Sequence, residues 1–201
     1  ASGQLLDMGL ELGGKDPALV CEDANFTFAV ENLVDGAFYN AGQSCCAIER
    51  IYVMRPLFER FVEAYVAEVG KYVIGDPEDE RTALGPLAQG RAVEFMEFQV
   101  REAVSRGARV LTGGKRLPGP GYYFQPTVLV DVNHNMSVMM EESFGPVIGI
   151  MPVDSEEEAI RLMNDSPYGL TASVWTEDPE RGARLGHRVA AGTLYVNRCD
   201  Y

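Results

Sequence analysis

Two adjacent cysteines, Cys45 and Cys46, lie in the stretch Asn-Ala-Gly-Gln-Ser-Cys-Cys-Ala-Ile-Glu-Arg at 40–50, in a chain that has four cysteines. A thiol is a nucleophile only as its thiolate, and a free one is only a few per cent ionised at neutral pH. A working cysteine here therefore needs an activating neighbour. Spacing alone does not choose between the two. The other candidate is Glu11, in Leu-Glu-Leu-Gly-Gly-Lys at 10–15. A carboxylate in an apolar run beside paired glycines is not expected on a solvated face. Burial there would raise its pKa toward that of a general base.

The elements around these residues set their places. Residues 10–15 read as a strand end running into the glycines, and 17–21 as a buried strand. Apolar residues at helical spacing follow over 26–39, so the cysteines fall in a helix-to-strand connection, where chemistry tends to sit. A strand at 50–54 leads to a helix opened by Pro56, with Phe58, Phe61, Val62, Tyr65 and Val69 on its apolar face. After a turn-rich loop at 75–86, a long helix puts Val93, Met96, Val100 and Val104 on one face. Strands follow at 108–111, 127–130 and 146–153, the last so apolar that both faces should be covered. Asp154 and Glu157 have capping-box spacing and open a helix to Met163. A strand at 170–175, a helix begun by Asp178 and Pro179, and a strand at 193–196 complete the pattern. This alternation predicts an α/β fold: three layers around a mostly parallel, doubly wound sheet, as a single domain over 1–201.

Composition narrows the function classes. With 17 basic and 30 acidic side chains, the net charge is −13, which offers no basic field for nucleic acid. No apolar run reaches membrane-span length, so no membrane partner is expected. The cysteines form no Cys-x-x-Cys pair, and His134 and His187 read as surface residues, so no metal site is expected. Unpaired cysteines suit a reducing, cytoplasmic compartment. Cys21, Cys46 and Cys199 read as small buried hydrophobes. The first eight residues lack signal-peptide order, and the sequence begins on Ala1 without an initiator Met, so it is read as a fragment or a processed chain. No glycine-rich dinucleotide fingerprint is present.

Several motifs together resemble the aldehyde dehydrogenase superfamily. Leu-Glu-Leu-Gly-Gly-Lys resembles its glutamate signature, and Gly-Gln-Ser-Cys at 42–45 its cysteine signature, in the family's separation. Gly-Asp-Pro at 75–77, Leu-Gly-Pro-Leu at 84–87, Pro-Thr-Val at 126–128, Glu-Glu-Ser-Phe-Gly-Pro at 141–146, Tyr-Gly-Leu at 168–170 and Gly-Thr-Leu-Tyr-Val-Asn at 192–197 match in order. The resemblance runs from about residue 10 to the end. It selects Cys45 over Cys46.

The resemblance implies an NAD(P)-dependent oxidation of an aldehyde substrate to a carboxylic acid. Cys45 would form a thiohemiacetal, hydride transfer would leave a thioester, and water deprotonated by Glu11 would release the acid. The Cys45 N–H would be one oxyanion donor. Leu12, Gly13, Glu142 and Phe144 would meet the cofactor, NAD or NADP. The presence of Glu11 favours hydrolysis over transfer to CoA. The resemblance also implies an amino-terminal cofactor-binding half and a carboxyl-terminal tail beyond this chain, with 1–14 a remnant of the junction. The asparagine that helps polarise the aldehyde would lie in that half, and a homo-oligomer is expected for the complete protein. Two other readings stand beside it: a cofactor-independent thiol hydrolase or acyltransferase using Cys45, and a non-catalytic interaction fragment.

Overall fold

The computed structural model describes residues 9–200. Seven strands form one sheet: β1 (Asp16–Val20), β2 (Ile48–Met54), β3 (Arg109–Thr112), β4 (Thr127–Val130), β5 (Val147–Val153), β6 (Thr171–Trp175) and β7 (Thr193–Val196). Their spatial order is β3-β4-β5-β2-β1-β6-β7. Only β3 runs antiparallel, as the partner of β4. Between the strands lie α1 (Phe26–Phe38), α2 (Arg55–Val69), α3 (Gly90–Ser105), α4 (Ser137–Met140), α5 (Glu156–Asn164) and α6 (Pro179–Gly186). The crossover from β1 to β2 steps one way along the sheet, and that from β5 to β6 steps the other. Right-handed crossovers therefore put α1 and α5 on opposite faces, which makes three layers.

The central strands are buried along their whole length: every residue of β1, β2 and β6 is buried. Tyr52, Phe61, Tyr65 and Trp175 are fully buried, each typically worth about 1.5–3 kcal/mol of hydrophobic stabilisation as a large apolar side chain. Pro152 is tolerated in β5 because β4 pairs with that strand only as far as Gly149.

The structure corrects several details. The expected strand end at 10–15 is unpaired chain, and β1 starts at Asp16. The helix expected from Asp154 is instead capped by Ser155, whose Oγ accepts from the Glu158 N–H at 3.2 Å; Asp154's own N–H donates to the Glu158 carboxylate at 2.7 Å. The capping box was thus displaced by one residue. Val104 is exposed rather than on the buried face of α3. The short α4 has too few residues to show a period. His134 is not a surface residue: its ring bonds the Tyr52 hydroxyl at 2.8 Å and Asp165 at 2.7 Å.

Candidate active site

The order β5-β2-β1-β6 decides the site. Residues 142–144 lead into β5, the cysteines into β2, residues 11–14 into β1, and Tyr168 into β6. Four segments far apart in sequence enter four neighbouring parallel strands, so they line one edge of the sheet, its amino-terminal edge. Doubly wound folds usually place ligands at the carboxyl ends. Here the edge chosen is the other one, because each of these residues precedes its strand.

The close approaches are made by glycines. The Gly14 N–H donates to Glu142 Oε1 at 2.9 Å. A side chain on Gly14 would run into the carbonyl oxygen of Cys45. Gly13 has φ +72°, a left-handed conformation that favours glycine, and a Cβ there would stand 2.6 Å from a Glu142 carboxylate oxygen. Two adjacent glycines thus let the lead-in to β1 press against both the cysteine loop and the Glu142 side chain.

The cysteine loop is held from below. α1 ends in a tight turn in which Asn40 and Ala41 take φ of 50° and 55°. Gln43 stabilises that turn: its Nε2 donates to the Asn40 carbonyl at 3.1 Å, and its Oε1 accepts from the Ala88 N–H at 2.8 Å. Cys45 and Cys46 are half-buried, and the Ser44 hydroxyl lies 3.3 Å from the Cys46 sulfur. The Cys45 thiol is pushed up from its ordinary pKa, first by burial, then by Cys46 and by the Glu11 carboxylate, while its own backbone N–H opposes. Among the described residues no cation offsets this. The activating neighbour expected for the thiol is not supplied by them.

Glu11 is exposed, and so are Leu10 and Leu12, the latter by 78%. The sheltered surroundings expected for a base are therefore not furnished by the described part of the chain. Its negative charge nevertheless adds to the upward shift of the Cys45 thiol.

Glu142 is half-buried, and burial raises its carboxyl pKa against the pull of the Gly14 N–H. Oε2 has no hydrogen-bond donor among the described residues. Phe144 is 43% exposed, not a core aromatic, and its backbone has φ 48°. Both side chains border a cleft of about 460 Å³, which Gln43, Arg91 and Phe95 also line. Cys45 and Glu11 do not line it. An open carboxylate oxygen can accept from ribose hydroxyls and an exposed ring can pack on a flat heterocycle, so these residues fit one side of a nicotinamide nucleotide.

A buried polar network underlies the edge. Lys15 Nζ donates to Glu49 Oε2 at 2.6 Å and to Ser143 Oγ at 3.1 Å. Glu49 accepts the N–H groups of Ser143 and Phe144 at 2.8 and 2.9 Å. Arg50 donates to the Lys15 carbonyl at 2.8 Å and to the carbonyls of Leu162 and Met163 at 3.3 and 3.1 Å, satisfying the end of α5. Burial lowers the Lys15 pKa, with Glu49 pulling back. Sequence reasoning missed Gln43, Glu49 and Arg50 as individual contributors. Their one signal was charge and amide groups within an otherwise apolar strand lead.

Among the described residues, no cluster of His, Cys, Asp and Glu could hold a metal ion, and no helix is long and apolar enough to cross a membrane.

Fold and site together define a class: doubly wound α/β domains that gather a thiol, a glutamate and a carboxylate–aromatic loop at the amino edge of a parallel sheet. The profile of the Aldehyde dehydrogenase family matches residues 1–200, and the chain belongs to that family. It is 40% identical to lactaldehyde dehydrogenase of Escherichia coli over 202 residues, which cover 100% of this chain and 42% of that protein. To a mitochondrial aldehyde dehydrogenase of Mesocricetus auratus it is 37% identical, covering 99% of this chain and 40% of the relative. The crystal structure of the E. coli lactaldehyde dehydrogenase superposes with TM-score 0.92 at 42% identity, over 95% of this chain and 40% of that one. A Staphylococcus aureus betaine aldehyde dehydrogenase in complex with NAD+ gives TM-score 0.91 at 34% identity, over 95% and 39%. The chain thus spans about two fifths of the length of these relatives.

Proposed function

We propose that residues 1–201 form the catalytic domain of an NAD(P)-dependent aldehyde dehydrogenase that converts an aldehyde to a carboxylic acid. Family membership supports the reaction class. The observation that carries the site is the double contact of Gly14, with Glu142 on one side and the Cys45 carbonyl on the other. It supports reading Cys45, Glu11 and the 142–144 loop as nucleophile, base and cofactor loop at one edge.

The Cys45 thiolate adds through Sγ to the aldehyde carbon as the C=O π pair moves onto oxygen, and the Cys45 N–H donates to the oxyanion of the resulting thiohemiacetal. A bound NAD or NADP, held in part by Leu12, Gly13, Glu142 and Phe144, would supply the hydride acceptor that makes the net change an oxidation. Cys45 then carries the acyl group as a thioester. Glu11 takes a proton from water as its oxygen attacks the thioester carbon, the C–S bond breaks, and the thiolate returns. Exposed Glu11 gains its shelter from substrate, cofactor and the protein that covers this edge. Leu10, Leu12 and Phe144 mark the surface so covered, and the partner we assign is an amino-terminal cofactor-binding half.

The test uses an active enzyme containing this chain. Glu11→Gln should give a single burst of reduced nucleotide followed by slow turnover, because the thioester forms but is not hydrolysed. Cys45→Ala should give no burst. Full activity in either variant would end the assignment.

A further inference from the structure

We propose that the buried pair of Lys15 and Glu49 is a positioning device that sets the cofactor-facing loop at 142–144 against the lead-in to β1. This rests on reading Glu142 and Phe144 as cofactor contacts. Both members of the pair are almost wholly buried, Lys15 at 1% and Glu49 at 3% exposure. Glu49 is placed by an irregularity in the sheet. β1 and β2 pair Asp16 with Ile48 but Pro17 with Arg50, so Glu49 is an extra residue in the register. Such a bulge re-aims one side chain out of the strand's alternation.

What Glu49 reaches is the backbone of the loop. Its carboxylate accepts from the Ser143 N–H at 2.8 Å and the Phe144 N–H at 2.9 Å. Phe144 holds φ 48°, which an aromatic residue adopts only when its surroundings over-determine it. The bond from its N–H to Glu49 is one such constraint. Lys15 closes the arrangement through Glu49 and Ser143 Oγ, and it follows Gly14, whose N–H binds Glu142. One ion pair thereby ties both segments that would face the nucleotide.

The experiment uses an active enzyme containing this chain, with the double variant Lys15→Met/Glu49→Gln. Removing both charges leaves no unpaired ion, so the fold should survive. The KM for nucleotide should rise about tenfold, roughly the worth of one hydrogen bond to a charged acceptor, since the amide oxygen introduced by Glu49→Gln can still accept one of the two N–H groups. The KM for aldehyde, the melting temperature and the iodoacetamide reaction of Cys45 without nucleotide should stay at parent values. An unchanged nucleotide KM in the folded double variant overturns the proposal. So does a shift of all four quantities together, which would mark a merely structural pair. If the double variant does not fold, Glu49→Asp decides: it keeps the charge beside Lys15 but draws the carboxylate back from the Ser143 and Phe144 N–H groups, and it should raise the nucleotide KM about threefold with the aldehyde KM kept. No change there also overturns the proposal. Glu142→Ala is run alongside. If it leaves the nucleotide KM unchanged, the cofactor-contact reading fails and the positioning role falls with it. If it raises the KM and the pair variants do not, the positioning role alone fails.

Discussion

The Gly14 amide donates to the Glu142 carboxylate across 128 positions of sequence, at 2.9 Å. Beside it, Gly13 leaves no room between its backbone and the same carboxylate. Gly13→Ala should therefore push Glu142 aside, since a flexible carboxylate yields more readily than backbone. The left-handed φ adds strain of about 1 kcal/mol or more. We expect nucleotide titration of an enzyme with this change to show weaker binding, and thermal melting to show a loss of only a few degrees. Binding at the parent affinity would separate Glu142 from the cofactor.

Thiol reactivity should follow exposure. Burial pushes Cys21 and Cys199 up to about 12, whereas Cys45 and Cys46 are half-buried. Iodoacetamide should modify the loop cysteines first, Cys45 among them, and peptide mapping would show it. With burial, Cys46 and Glu11 all raising the Cys45 pKa, its rate in this chain should keep climbing above pH 8. Equal modification of all four cysteines would count against the site. A plateau near pH 7 would reveal an activating group that the described residues do not contain.

Asp16 gives a pH signature. Burial raises its carboxyl from 3.8 to about 7, against bonds from the Thr171 N–H at 3.2 Å and hydroxyl at 2.7 Å. In the unfolded chain this proton leaves near pH 4; in the folded chain it stays until about pH 7. The folded state therefore binds more protons between those values, and stability falls as pH rises through the window, then levels off. Asp16→Asn imitates the protonated acid. Its melting temperature should match the parent's near pH 4 and exceed it increasingly up to pH 7.5, where the gain is about 2–4 kcal/mol. A difference that does not vary with pH would refute the shifted carboxyl.

The 201-residue chain, by itself, should not reduce NAD or NADP in the presence of an aldehyde. On the proposed reading it contributes only one side of the cofactor's surroundings, and it spans about two fifths of its relatives. A misplacement of about 1 Å can cost roughly a hundredfold in rate. Leu10, Leu12 and Phe144 are exposed, so size-exclusion chromatography should also show self-association. Turnover comparable with a complete family member would show that this chain holds the whole cofactor site.

The residues determined much by themselves. Long periodic segments became α1, α2 and α3, and the continuous apolar runs became central strands, because the period of burial is written in side-chain type. Cys45 and Glu11 were visible as a thiol and a carboxylate in unusual neighbourhoods. Short or displaced features were not legible: α4 lacks a full period, and the cap moved from Asp154 to Ser155 because both positions offer an oxygen at similar spacing. His134 looked like a surface residue because its partners, Tyr52 and Asp165, lie 82 and 31 positions away. Tertiary structure alone decided the strand order, and with it the meeting of residues 11–14, the cysteine loop and residues 142–144 at the amino edge. It alone aimed Glu49 at the loop, through one extra residue in the pairing of β1 with β2. Local sequence encodes which face of an element is buried. Which elements become neighbours depends on packing across the whole sheet, and no single stretch carries that information.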